Sequence, residues 1–221
     1  KIMISEQGNL LIAPEFAKEA EKKEVIIEYD EYFAKRFFRV YFQGHEKITI
    51  TFKQDQPKIH DFLSKFMNVQ IIEETSNKIV LKVFKIEELS IEECLKRMFY
   101  LSLNMFDETG NKNKLKELKN SLIKFYFTLV MQMRRYLAEG KYTEENQISL
   151  LRATDCRMVA EKIERISGLL VEVKSGEQLK QIKIFYNNAF NAFFSLQFDK
   201  SLTLLKEKKE LDKKIKDRDL M

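Results

Sequence analysis

Glycine and proline are scarce in this chain, six and two among 221 residues. Tight turns draw on both, so a sandwich or barrel of many short strands is disfavoured and long helices are favoured. Cysteine is limited to Cys94 and Cys156, with no C-x-x-C pair and no metal-like spacing to histidine. Each falls inside an apolar helical pattern, so both read as reduced core residues. The only histidines are His45, after an expected helix, and His60, within one. Nucleophilic catalysis needs a base held beside a nucleophile, and neither histidine has a plausible partner cluster. No G-x-x-x-x-G-K-[ST] or G-x-G-x-x-G run is present to cradle phosphates. Together these absences point away from an enzyme and leave no catalytic residue, cofactor or small-molecule substrate to name.

Charge of one sign is also missing. The 39 Lys and Arg are interspersed with 34 Asp and Glu, leaving a net charge of +5. Obligatory coating of a nucleic-acid backbone needs a clustered basic surface, which this balance disfavours. No run of eighteen apolar residues occurs, and no basic region followed by a hydrophobic stretch opens the chain. A soluble, cytoplasmic protein is expected. The sequence opens at Lys1 in the middle of a strand-like run, which points to residues preceding it. With 44% apolar and 33% charged residues, the composition is that of a folding chain, long enough for two small domains.

Short apolar runs come first. Ile2–Ile4 and Leu10–Ile12 flank Glu6-Gln7-Gly8-Asn9, the composition of a hairpin turn. Glu15 to Lys23 is compatible with a short helix or a linker. Val25-Ile26-Ile27 is a buried-strand candidate, and Asp30 can cap a helix with Phe33, Phe37, Val40 and Tyr41 on one face, stopped by Gly44. Lys47 to Phe52 alternates polar and apolar, as a strand does. Asp55 and Pro57 introduce a helix carrying Ile59, Phe62, Leu63 and Phe66. Val69 to Ile72 and Ile79 to Val83 form two strands joined through Glu74-Thr75-Ser76-Asn77. The order is β-α-β-α-β-β.

Beyond Leu89 the pattern is helical, and it opens with Ser90-Ile91-Glu92-Glu93, a capping box. A domain boundary is placed there. The first helix carries Leu95, Met98, Leu101 and Met105 to about Gly110. The second carries Leu115, Leu118, Leu122, Phe125, Leu129 and Met133 to near Gly140. The third, from about Ser149 to Lys174, sets Met158, Val159, Ile163, Ile166 and Leu170 on one face. After Ser175-Gly176 a fourth carries Ile182, Phe185, Ala189, Phe193 and Leu196. It bends near Phe198-Asp199 and continues as a solvated Lys/Glu-rich segment. The aromatic run Phe185, Phe190, Phe193, Phe194 and Phe198 exceeds what one helix face requires; core packing accounts for most of it, and a dimer or partner surface for the surplus.

The stretch Val69-Gln70-Ile71-Ile72-Glu73-Glu74-Thr75-Ser76-Asn77-Lys78-Ile79-Val80-Leu81, followed by Glu88-Leu89-Ser90 and Leu95-Lys96-Arg97-Met98, resembles the archaeal PhoU-like phosphate-uptake regulators. Phe125-Tyr126-Phe127, Arg134-Arg135-Tyr136-Leu137, Asp155-Cys156-Arg157-Met158-Val159-Ala160 and Glu164-Arg165-Ile166 are similar to helices of that family's bundle. The resemblance implies an α+β fold. Residues 1–14 would be the remnant of an AbrB/SpoVT-like swapped hairpin, residues 15–88 an α/β module, and residues 89–221 a PhoU-like antiparallel helical bundle whose second repeat begins at about residue 176.

That family often binds iron or zinc through acidic residues four apart on one helical face. This chain departs from the pattern. Lys116-Glu117-Leu118-Lys119 introduces lysines, Gly168 stands where the family often has aspartate after Glu164, and Glu210 and Asp212 are two apart and do not share a face. No metal cluster is expected. Glu164 fits an ion pair better than a ligand role, and Arg134 and Arg135 fit solvated pairing, a phosphate or an acidic partner. The function implied is non-enzymatic phosphate-responsive signalling or transcriptional regulation. It would work through a homodimer, a protein partner in phosphate signalling or transport, and DNA contacts made only by residues upstream of this chain. The alternative is a structural or assembly subunit with a degenerate PhoU fold inside a larger complex.

Overall fold

In the computed structural model the residues described are 2–4, 10–12, 24–53, 58–86, 89–139, 148–173 and 176–219. The fold is α+β: a small mixed module followed by a helical region. The expected turn at Glu6 to Asn9, the Glu15 to Lys23 segment and the Asp55 and Pro57 helix start lie outside the described residues. Strands β1 (Ile2–Ile4) and β2 (Leu10–Ile12) pair antiparallel, with Met3 opposite Leu11.

The module runs β3 (Glu24–Glu28), α1 (Phe33–Phe42), β4 (Lys47–Thr51), α2 (Lys58–Leu63), β5 (Val69–Glu74) and β6 (Lys78–Val83), the order read from the sequence. The sheet order is β3-β4-β6-β5, with β3 parallel to β4 and the remaining pairs antiparallel. Because strand side chains alternate, Ile27, Ile48, Ile50, Ile79, Leu81 and Val83 share one face and enter the core beneath α1 and α2. On the opposite face Ile26 is exposed, whereas Thr49 and Val80, directly paired, are buried. Thr49 is therefore not the solvent-facing polar residue that alternation suggests, since β4 and β6 are the central strands.

Asp30 lies two residues before the cap of α1 rather than at it. The cap position is Tyr32, whose N–H donates to Asp30 Oδ1 at 2.9 Å, and Asp30 also holds Arg36 at 2.7 Å. Gly44 ends the helix as expected, with φ +82°, a conformation that favours glycine.

The helices that follow are α3 (Ile91–Asp107), α4 (Lys112–Glu139), α5 (Leu150–Leu170), α6 (Glu177–Ser195) and α7 (Phe198–Asp219). The Ser90 box forms in full. Ser90 N–H and Oγ–H donate to Glu93 Oε2 at 2.8 and 2.7 Å, and Glu93 N–H donates to Ser90 Oγ at 3.2 Å. Asn111 and Ser149 cap α4 and α5 through bonds from Lys114 N–H and Arg152 N–H. Leu95, Met98, Leu101 and Met105 are all buried, as their spacing predicts.

Two expected faces are corrected. On α5 the buried stripe is Ala153, Cys156, Ala160, Ile163, Ser167 and Leu170, while Met158 is 59% exposed. At the end of α6, Leu196 is 76% exposed and adopts φ 51°, closing the helix as its left-handed cap. The chain then reverses rather than bends. Gln181, Ile184 and Phe185 of α6 line one groove with Glu207, Glu210 and Leu211 of α7, so the two helices form an antiparallel hairpin.

The chain divides into two compact units. One comprises Lys1–Leu95 with Ile123–Val159, the other Lys96–Leu122 with Ala160–Met221. In the first, Phe127 of α4 stacks on Phe66 with ring centroids 4.9 Å apart and planes 11° apart, and also meets Phe38 and Phe42. In the second, Phe99 of α3 stacks on Phe190 of α6 at 3.5 Å and 3°.

Candidate functional site

In the first unit, α4 contributes polar groups that reach the module's connecting segments. Gln132 Nε2 donates to the carbonyls of Ile86 and Leu89, the latter at 2.9 Å, which fixes the chain between β6 and α3. Arg134 Nε donates to Phe42 O at 2.7 Å, placing a cation on the C-terminal carbonyls of α1, where the helix dipole favours positive charge. Arg134 therefore has a structural use, and Arg135 is engaged as well. Arg152 pairs with Glu92 at 2.9 Å, and the Arg157 guanidinium lies 5.0 Å from the centre of the Tyr126 ring.

The histidines and thiols are not assembled for chemistry. His45 is 6% exposed, and its Nδ1 has no hydrogen-bond partner among the described residues. His60 Nε2 meets Glu74 Oε1 at 2.9 Å on the surface. Burial pushes the Cys94 thiol up to about 12, with Glu93 adding to the effect. Burial pushes Cys156 up to about 11, Arg152 partly opposing it. A thiol held this far above neutrality is almost never the reactive thiolate. Neither cysteine is expected to react with a disulfide reagent in the native protein, and both should react in denaturant. Fast modification of either thiol under native conditions would contradict this packing.

The second unit carries Glu117, Lys119, Glu164, Gly168, Glu210 and Asp212, the positions weighed above as metal ligands. Lys119 Nζ lies beside Gly168, 3.6 Å from where a Cβ would stand. Glu117 is drawn to Lys114 at 3.1 Å, and Asp212 to Lys208 at 3.0 Å. An ammonium beside the glycine and carboxylates already paired with lysines do not fit a carboxylate-bound metal. Among the described residues no three His, Cys, Asp or Glu gather as metal ligands. The 3.6 Å approach is ordinary contact, so Gly168→Ala is accommodated and removes a helix-interior glycine. It should raise stability by about 0.5–1 kcal/mol in a urea titration; a loss of stability would show that Lys119 has no room to yield.

Among the described residues of this unit no buried side-chain polar atom lacks a hydrogen-bond partner. Ser102 Oγ lies 2.6 Å from Tyr186 Oη and donates to Phe99 O, and burial pushes the Tyr186 phenol up to about 12. What stands out on the surface is apolar. The α6–α7 groove, about 240 Å³, has Ile184, Phe185 and Leu211 in its wall with Gln181, Glu207 and Glu210 around them. On α7, Phe198, Leu202 and Leu205 are 74%, 42% and 58% exposed. Of the five aromatics in the Phe185 to Phe198 run, Phe190 is buried, Phe185, Phe193 and Phe194 are half-buried, and Phe198 is open. The exposed leucines lie in the segment expected to be merely solvated; their i, i+4, i+7 spacing from Phe198 is the signal that reveals them.

No helix among the described residues is long and apolar enough to cross a membrane. In comparison with known proteins, no family model, no curated protein and no solved structure matches this chain.

Proposed function

We propose that this chain is a non-enzymatic regulator of the PhoU type, responsive to phosphate and acting by docking onto other proteins. The observation that carries the reading is the contrast between its polar and its apolar surface features. The candidate chemical groups, His60, Cys94, Cys156, Arg134 and Tyr186, are either buried or engaged in pairs within the fold. Large apolar side chains, in contrast, stand open on α7 and at the α6 terminus. Such a surface suits a protein partner of phosphate signalling or transport, and a homodimer belongs to the same reading.

The test is uptake of labelled orthophosphate by cells lacking the gene. The regulator reading expects uptake to stay high when phosphate is plentiful and to be restored to control by the reintroduced gene. Uptake that follows external phosphate as in the parent cells would sink it. The second reading, an assembly subunit on a degenerate PhoU fold, is favoured by Lys119 standing beside Gly168 in place of an acidic pair. It expects the protein to be isolated in a fixed-stoichiometry complex whatever the phosphate supply.

A further inference from the structure

Helix α7 is apolar on two distinct sides. At 100° per residue, Leu204 and Leu211 fall together on the side turned to α6, where both are half-buried and Leu211 lines the groove. Phe198, Leu202 and Leu205 fall together on a side centred roughly 140° away and are exposed. A surface helix of a globular protein needs one apolar stripe, and a second, well separated from it, calls for a second covering element. The outer stripe is short and bounded: the next positions along it are Lys209 and Asp212.

We propose that the outer face of α7 is a homodimer interface, in which α7 of one copy pairs antiparallel with α7 of a second copy about a two-fold axis at Leu202. The pattern complements itself. With Leu202 against Leu202, the same spacing sets Leu205 of each copy against Phe198 of the other, giving three apolar layers and leaving Lys209 beyond them. Asp199 and Lys206 flank the stripe on the same side, seven residues apart, and an antiparallel pair brings Asp199 of one copy to Lys206 of the other, twice. Both are exposed, and neither makes an ion pair among the described residues. The charges thus match in the register that the apolar layers choose. A contact of this size sits at the low end of specific interfaces, under about 1,200 Å² in total, so association in the micromolar range is expected.

Sedimentation equilibrium of the full chain from low to several hundred micromolar tests this. The native protein should pass from monomer to dimer across the series. Leu202→Glu, at an exposed position, should keep its helical circular dichroism and weaken association more than tenfold. Asp199→Lys and Lys206→Asp should each weaken it severalfold, and the two together in one chain should restore it to within about twofold of native, which general loss of structure would not do. A native protein that is monomeric throughout, a dimer untouched by Leu202→Glu, or a double exchange no better than the single ones would overturn the proposal. A dimer that survives Leu202→Glu would place self-association elsewhere and leave the phosphate reading as it stood.

Discussion

Replacing Phe66 by alanine is expected to remove about 3–5 kcal/mol of folding stability. Phe66 is 4% exposed, and its ring meets Phe37, Phe38, Tyr41, Phe62 and Phe127 with centroids between 4.8 and 5.7 Å. It lies just beyond α2, so its contribution is packing and not helix propensity. Truncation opens a cavity among rings held from several elements, which cannot all collapse into it. Phe66→Leu, which refills part of the volume, should cost appreciably less. Urea titration followed by far-ultraviolet circular dichroism measures both. A Phe66→Ala loss below about 1 kcal/mol would mean that the aromatic cluster is loosely packed or readily reorganised. Pairing Phe66→Ala with Phe127→Ala isolates the contact between module and helix. Stacked neighbours should couple by more than about 0.5 kcal/mol.

In the other compact unit the same reasoning singles out Phe99. It is 1% exposed and meets Phe190 at 3.5 Å, Tyr186 at 5.1 Å and Tyr100 at 5.5 Å. Phe99→Ala should cost about 3–5 kcal/mol by the cavity argument. Its backbone carbonyl also accepts the Ser102 hydroxyl, which in turn meets Tyr186. Loosening α3 here therefore disturbs a buried polar pair as well as a ring stack. Tyr186→Phe, which removes only the phenolic hydroxyl, should cost about 1 kcal/mol. A Phe99→Ala variant no less stable than Tyr186→Phe would show that the Phe99–Phe190 stack contributes little.

The parts of this fold legible in the sequence are those in which one strong pattern acts alone. The capping box at Ser90 and the stripe Leu95, Met98, Leu101 and Met105 agree with each other, and α3 forms where both say. The module's order was readable because short β-branched runs alternate with aromatic helix faces. Where the signal is volume and not hydrophobicity, reading fails. On α5 the strongly apolar Met158 outranks Ala153, Ala160 and Ser167 on any hydropathy scale, yet the small residues form the buried side. Phe127 was likewise hidden. It lies two residues from Phe125, off the stripe assigned to α4, and its burial depends on Phe66, some sixty positions away. Nothing local announces such a contact. Leu196 adds a third reason: it is an apolar residue in helical register, yet it is the left-handed cap at which α6 ends and α7 turns back.

At the candidate site the sequence speaks mainly through what it lacks. Scarce histidine and isolated cysteines argued against catalysis, and the lysines near Glu117 argued against a carboxylate cluster. Neither argument points to the outer face of α7. That face could have been found from Phe198, Leu202 and Leu205 alone, had the many lysines around them not given the segment a solvated look.

The central structural claim is that α4 from Ile123 onward is folded into the same cooperative unit as the four-stranded sheet. Phe127 on Phe66, Gln132 on the Leu89 carbonyl and Arg134 on the Phe42 carbonyl are its ties. Native-state hydrogen exchange in rising denaturant tests it most directly, because amides that open together share one free energy and one denaturant dependence. The account expects the amides of residues 124–136 to merge with those of β4 and β6 into one opening event. Exchange of residues 124–136 well before the sheet, with β4 and β6 still protected, would contradict it.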